Sequence, residues 1–333
     1  MREPALVVVY CSPEYDRDVL AAELVARFGE VPIIGCTTAG EISPSGYRRG
    51  SLVGVSISRG VAQCVVGRLQ GLSDFEIVDG ERLAAKLRAE LGGRGDDLSG
   101  TDCFGLMLID GLSMKEEHVV SGLYRGMDGI PLVGGSAADG VAFKETFVLH
   151  DGAFERDVCV LALVRTRLPF EVFRTQHFVP TDRKMVVTGA DEASRTVFEI
   201  NGERAGREYA RVVGLEVDEL TPLIFAAHPV VVQIDDEYYV RSILKVNEDE
   251  SLTFACAIDE GIVMTVARGV DVTDNLRRAF KLVRRRIGPP QLVLGCDGLF
   301  RLLELDQRGI RDTIAEVMTF SSPLQIEISG FDL

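Results

Sequence analysis

The apolar residues of this chain come in short unbroken runs separated by small and charged residues. Leu6-Val7-Val8-Val9-Tyr10 is followed at once by Cys11-Ser12-Pro13. A run of that length without alternation predicts a strand covered on both faces. Ser12 and then Pro13 read as a helix N-cap with proline at the first helical position. Over 18–27, Val19, Leu20, Leu24 and Val25 form a stripe among charged residues, which predicts an amphipathic helix. Pro32 then leads into Ile33-Ile34-Gly35 and a segment of small residues.

The same order recurs downstream. Gly105-Leu106-Met107-Leu108-Ile109 falls on 6–10, and Ile130-Pro131-Leu132-Val133-Gly134 falls on Val31-Pro32-Ile33-Ile34-Gly35, both at an offset of 99. A strand, a helix (114–124 in the second copy) and a proline-led run ending in glycine therefore form a duplicated unit, with copies near 5–60 and 104–160. Further strands are predicted at 51–58, 146–150, 158–164 and 170–175. Beyond 175 the pattern gives strands at 184–190 and 197–200, the latter meeting the hairpin signal Asn201-Gly202. A helix at 205–213 ends at Gly214, and strands follow at 222–226, 230–234, 238–246, 252–257 and 262–267. After a helix at 273–287, the strand 291–296 enters Cys296-Asp297-Gly298. A helix over 299–318, interrupted near Gly309, closes a weaker third copy in which Cys296 stands where Cys11 stands. The fold class is α/β: internally duplicated strand–helix units forming layered mixed β-sheets flanked by helices. Two consecutive domains are expected, 1–175 and 176–333.

With 36 basic and 51 acidic residues the net charge is −15, which disfavours nucleic acid and anionic membranes as partners. The basic run Arg284-Arg285-Arg286 reads as a solvated helical face near a C-terminus. No run reaches the roughly 18 apolar residues of a membrane span, and the opening run is too short for a secretory signal. Seven cysteines without a CxxC pair predict reduced thiols, so a cytoplasmic location is expected. The four histidines are too dispersed for a zinc pattern.

The small-residue segments are the first candidates for chemistry. One contributes Gly35, Cys36, Thr37, Thr38, Gly40 and Glu41; the other Gly134, Gly135, Ser136, Asp139 and Gly140. Read as loops, they offer backbone N–H groups to a carboxylate or phosphate. Tight strand packing would use glycine equally well. Neither matches GxxxxGK[ST] or GxGxxG, so nucleotide hydrolysis and dinucleotide binding gain no support. Glu41 and Asp139 could recognise an amine, and Arg241 could fork onto a ligand carboxylate. An enzyme is the weaker reading: Cys36 as nucleophile needs a base that nothing locates, and Asp110 with Asp139 would form an acid–base pair only if the repeat brought them together. His118 and His177 are the minority candidates for haem or metal ligation.

Several segments together, GCTTAGEI at 35–42, IDGLS at 109–113, IPLVGGSAADG at 130–140, ETFVLHDG at 145–152, VVTGA at 186–190, EINGERAGREY at 199–209, YVRSI at 239–243 and DEG at 259–261, resemble the FIST sensory-domain family of signal-transduction proteins. The resemblance covers nearly the whole chain as an N-terminal and a C-terminal part. It implies a sensor of amino acids or similar small carboxylates, with Cys296 on a C-terminal strand near the ligand. It also implies signalling through a separate partner such as a histidine kinase, or in some relatives haem-based sensing of nitric oxide. The family's C-terminal part closes with a glycine-aromatic segment leading into a Gly-Glu ending; this chain has Gly330-Phe331 and then Leu333, so that closing element is expected to be absent, which suggests an incomplete edge and, as a further alternative, a protein-interaction module.

Overall fold

The computed structural model describes residues 3–43, 46–93, 98–140, 142–321 and 324–332. They form two units. The first comprises 1–174, 280–299 and 310–333, and the second 175–279 and 300–309. The first unit therefore gathers C-terminal residues that the sequence assigned to a consecutive second domain.

In the first unit two sheets share a core. One has the order Ala153–Glu155, Val148–His150, Ile33–Thr37, Pro4–Cys11, Leu52–Ser58. The other runs from Gly46–Arg48 through Glu41–Ser43, Leu324–Asp332, Leu132–Ser136, Cys103–Ile109 and Val158–Thr166 to Ala62–Gln70, with Leu292–Gly298 paired to Leu324–Asp332. Leu6, Val8, Tyr10, Ile34 and Cys36 meet Leu108, Val160 and Ala162 between the sheets. The opposite faces are buried too. Val7, Val9 and Ile33 pack under helix Arg17–Phe28, and Met107, Ile109 and Leu161 pack with Ala84, Leu87, Val119 and Leu123 of helices Ile77–Gly92 and Glu116–Met127. Two covered faces per sheet are what the unalternated runs require.

The duplication is visible in the ladders. Strands Pro4–Cys11 and Ile33–Thr37 pair in parallel across a helix, as do Cys103–Ile109 and Leu132–Ser136. A third parallel pair, Leu292–Gly298 with Leu324–Asp332, spans helices Leu299–Arg308 and Arg311–Ser321, with Gly309 at φ +65° between them. Gly330 and Phe331 lie within that last strand, and Leu333 is outside the described residues. The constant offset needs one correction. Val7 registers with Ile33, whereas Gly105 registers with Leu132, so the second connection is one residue longer and the first strands correspond at 98. A uniformly apolar strand buried on both faces carries no mark of its own register.

The second unit is one sheet bent along the strand Phe178–Asp191, which changes register between Pro180 and Lys184 and again near Gly189. Met185, Val187, Tyr209, Phe225, Val230, Phe254 and Met264 form its core. Asn201 and Gly202 are both left-handed, at φ +54° and +80°, making the expected hairpin turn. Helix Ala205–Val213 ends at left-handed Gly214.

Other expectations fail for physical reasons. The helix after the first strand is capped not by Ser12 but by Asp16, whose carboxylate accepts the N–H groups of Asp18 and Val19 at 3.1 Å. Its buried face is Ala21, Leu24 and Phe28, whereas Val19 and Val25 are 58% and 44% exposed. The run at 222–226 is the helix Pro222–Ala227, because Thr221 caps it and Pro222 occupies the first turn. Residues 170–175 form no strand; Phe170 packs on Phe104 and Phe173 edge-on to Phe280 instead.

Candidate functional site

The two small-residue segments are brought together, but mostly as sheet. Gly35, Cys36 and Thr37 belong to strand Ile33–Thr37, and Gly134, Gly135 and Ser136 to strand Leu132–Ser136. A methyl group on Gly35 would stand 2.1 Å from the Val9 carbonyl oxygen, and one on Gly134 would stand 2.0 Å from that of Met107. Both glycines thus exist for the close approach of the paired parallel strand. Just beyond them the copies touch: the Ala138 N–H donates to the Thr37 carbonyl at 2.9 Å. Thr37 also accepts from the Phe147 N–H at its hydroxyl, and Ser136 Oγ is buried without a partner. Gly40 is buried ahead of strand Glu41–Ser43, and Gly140 is left-handed at φ +80° in a turn. Cys296 packs in strand Leu292–Gly298 against the core between the sheets. Reading the glycine segments as open loops is therefore corrected by their strand geometry.

The carboxylates on these segments are engaged with the protein. Glu41 is fully buried and accepts from the hydroxyls of Thr38 and Ser51. Asp110 accepts from the Thr146 hydroxyl, from the Leu112 N–H at 3.0 Å and from the Asp157 N–H at 2.6 Å. Asp139 caps its own turn, accepting from the N–H groups of Phe143, Lys144 and Glu145 at 2.7–3.0 Å. Asp110 and Asp139 thus hold separate backbone segments and do not form the acid–base pair.

Burial raises the Glu41 carboxyl above its ordinary value, against the opposing pull of the Ser51 and Thr38 hydroxyls. The folded chain keeps this proton to higher pH than the unfolded chain. The resulting stabilisation is complete below about pH 4.5, the ordinary value, and is lost as pH rises through the raised one. We expect the stability of the native protein relative to Glu41→Gln to fall as the pH rises above about 4.5 in urea titrations. Parallel pH dependence in the two proteins would contradict this account.

The thiol reading of Cys36 fails. The side chain is wholly buried, and burial first, then Cys296, Cys11 and Glu41, push its pKa well above that of a free thiol. Burial likewise pushes Cys11 up to about 12. A protonated thiol in a packed core is a small hydrophobe, not a nucleophile. The EINGERAGREY segment also works locally: Asn201 Nδ2, and Nε and Nη2 of the nearby Arg211, donate to Glu208, whose backbone is part of helix Ala205–Val213.

Arg241 behaves differently. It ends strand Glu237–Arg241 in the second unit, registered with Val230. Its Nε is buried and donates to nothing. The residue lines a small recess in which about 20 Å³ admits the centre of a water molecule. Phe178, Phe225, Phe300, Val230, Val240 and Ile243 supply its apolar wall. These residues come from four separate stretches of chain, and no local sequence signal joins them. Of the predicted ligand contacts, Arg241 lies in the second unit and the others in the first.

With this geometry in hand, comparison with known proteins gives two adjoining matches: the FIST N domain over residues 5–203 and the FIST C domain over 205–331. The chain belongs to the FIST family. FIST domains are small-ligand sensory modules of signal transduction. The chain is also 23% identical over 281 residues to an uncharacterized protein of Methanocaldococcus jannaschii, a match that covers 79% of this chain and 54% of that protein. The chain thus spans about half the length of this curated relative.

The four histidines, the side chains haem would need, are dispersed in the fold. His177 is wholly buried with Nε2 2.7 Å from Glu304, His150 is buried with Nδ1 3.0 Å from Asp151, and His118 is exposed on helix Glu116–Met127. His228 is the C-cap of helix Pro222–Ala227, and no histidine lines the Arg241 recess. Among the described residues no group of three His, Cys, Asp or Glu side chains could hold a metal ion, and no helix is long and apolar enough to cross a membrane.

Proposed function

We propose that this FIST protein senses a small metabolite carboxylate (an amino acid or a similar acid) held at Arg241, and that a separate signalling protein, such as a histidine kinase, reads the bound state. One observation carries the reading: a buried guanidinium N–H with no acceptor, on a residue that lines an apolar recess. Burying such a donor unpaired costs about 1–3 kcal/mol. A carboxylate placed there accepts a charge-assisted hydrogen bond and removes the cost. Since the recess has room only for a water-sized occupant as it stands, a metabolite must spread its wall. Binding then selects a wider conformation, which is the signal a partner needs.

The tension in the ligand-free state makes a sharp prediction. Arg241→Met removes the unpaired donor while keeping most of the apolar stem, and should raise the stability of the ligand-free protein by about 1–2 kcal/mol. The same variant should lose any response to carboxylates. A thermal-shift screen against small carboxylates at millimolar concentration checks both. The native protein should melt higher with at least one of them, because a ligand that binds only the folded state stabilises it by mass action. Unchanged melting with every acid would remove the carboxylate reading.

A further inference from the structure

The wall of the recess limits the kind of carboxylate it can take. A free amino acid brings an ammonium group within two bonds of its carboxylate, so a site that holds one needs an acceptor close to the arginine. The lining contains no aspartate or glutamate, and Ser242 is its one other polar side chain besides Arg241. Two main-chain acceptors nearby are committed. The Pro229 carbonyl takes the Ala267 N–H at 2.7 Å, and the Ser242 carbonyl takes the Ala255 N–H at 2.9 Å. Arg241 and Val230 face each other in the antiparallel ladder between Val230–Ile234 and Glu237–Arg241. An ammonium buried here would lose its hydration without gaining a counter-charge.

We infer that the ligand of the Arg241 recess is a short apolar monocarboxylate without an ammonium group, a branched aliphatic acid or its 2-oxo derivative, and that the recess rejects the corresponding amino acid. The inference rests on the carboxylate reading of Arg241 and narrows it. The apolar wall around Phe178, Phe225 and Phe300 favours a hydrocarbon tail. With only about 20 Å³ open to the centre of a water molecule, the recess must widen to take any tail, which favours one of a few carbons. Discrimination comes from the missing counter-charge, by the same logic that makes a polar mismatch in a buried site far more selective than an extra methylene.

Valine and 3-methylbutanoate form a matched pair for the test, since they differ only in the ammonium group. Calorimetric titration of the full chain with each acid should show 3-methylbutanoate binding at least about tenfold more tightly than valine. Arg241→Met should abolish the binding of 3-methylbutanoate. Valine binding as tightly or more tightly would overturn the inference and leave Arg241 as a carboxylate site. Binding of 3-methylbutanoate that survives Arg241→Met would overturn it by placing the acid elsewhere. Absence of binding by both acids up to millimolar concentration, together with a carboxylate screen in which no acid raises the melting temperature, would overturn the inference along with the reading beneath it.

Discussion

Gly134→Ala and Gly35→Ala should each destabilise the protein by about 3 kcal/mol or more, and by similar amounts. In both, the new methyl would meet a backbone carbonyl oxygen, of Met107 at 2.0 Å or of Val9 at 2.1 Å. A carbonyl in a parallel ladder has no rotamer to escape into. The strand pair must separate, and with it the packing on both sides of the sheet. Gly140→Ala is the control, because that glycine has open space around its Cα and pays only for a left-handed backbone at φ +80°, about 1–2 kcal/mol. Urea unfolding followed by circular dichroism ranks the three. If Gly35→Ala and Gly134→Ala cost no more than Gly140→Ala, close approach does not explain the glycines, and their role as ligand-facing loop residues regains its standing.

His177→Ala should cost about 2–4 kcal/mol, because it breaks a buried charged contact from one side. The wholly buried imidazole of His177 lies on Phe178, with Nε2 2.7 Å from a Glu304 carboxylate that is itself buried. Arg308 holds the other oxygen of that carboxylate at 2.9 Å from a half-exposed position, which keeps the cost below that of a fully orphaned charge. Arg308→Gln should therefore cost under about 1 kcal/mol. Glu304 and Arg308 sit on helix Leu299–Arg308, the same helix that presents Phe300 to the Arg241 recess. His177→Ala should accordingly weaken carboxylate binding as well as stability, although His177 lines no part of the recess. Equal stability of His177→Ala and the native protein would mean that the helix is held by its apolar face alone.

The architecture was legible where the chain imposes one requirement at a time. An unalternated run such as 6–10 demands cover on both faces, and the two sheets with outer helices provide it. Gly35 and Gly134 recur because both copies bring a parallel strand equally close, so these glycines helped to mark the duplication alongside the apolar runs and prolines. Legibility failed where two local rules competed. The apolar run at 222–226 suits a strand by composition, yet Thr221 and Pro222 set a helix start that prevails. On the first helix the stripe through Val19 and Val25 was the more hydrophobic choice, whereas the sheet buries Ala21, Leu24 and Phe28. The site was legible only in part. Arg241 stood out as a residue type suited to carboxylates, but its setting depends on Phe178, Phe225 and Phe300, which lie far apart in sequence and share no period or motif. The glycine segments drew attention through composition, and their backbone work in the sheet was hidden from it.

A crystal structure of the full chain grown with 3-methylbutanoate would put the account to its most direct test. The account predicts carboxylate density within hydrogen-bonding distance of Arg241 Nε, with the hydrocarbon tail among Phe178, Phe225 and Phe300 and their side chains displaced outward. Density for the acid against Thr37 and Glu41 or against Ser136 and Asp139, with Arg241 unliganded, would contradict it.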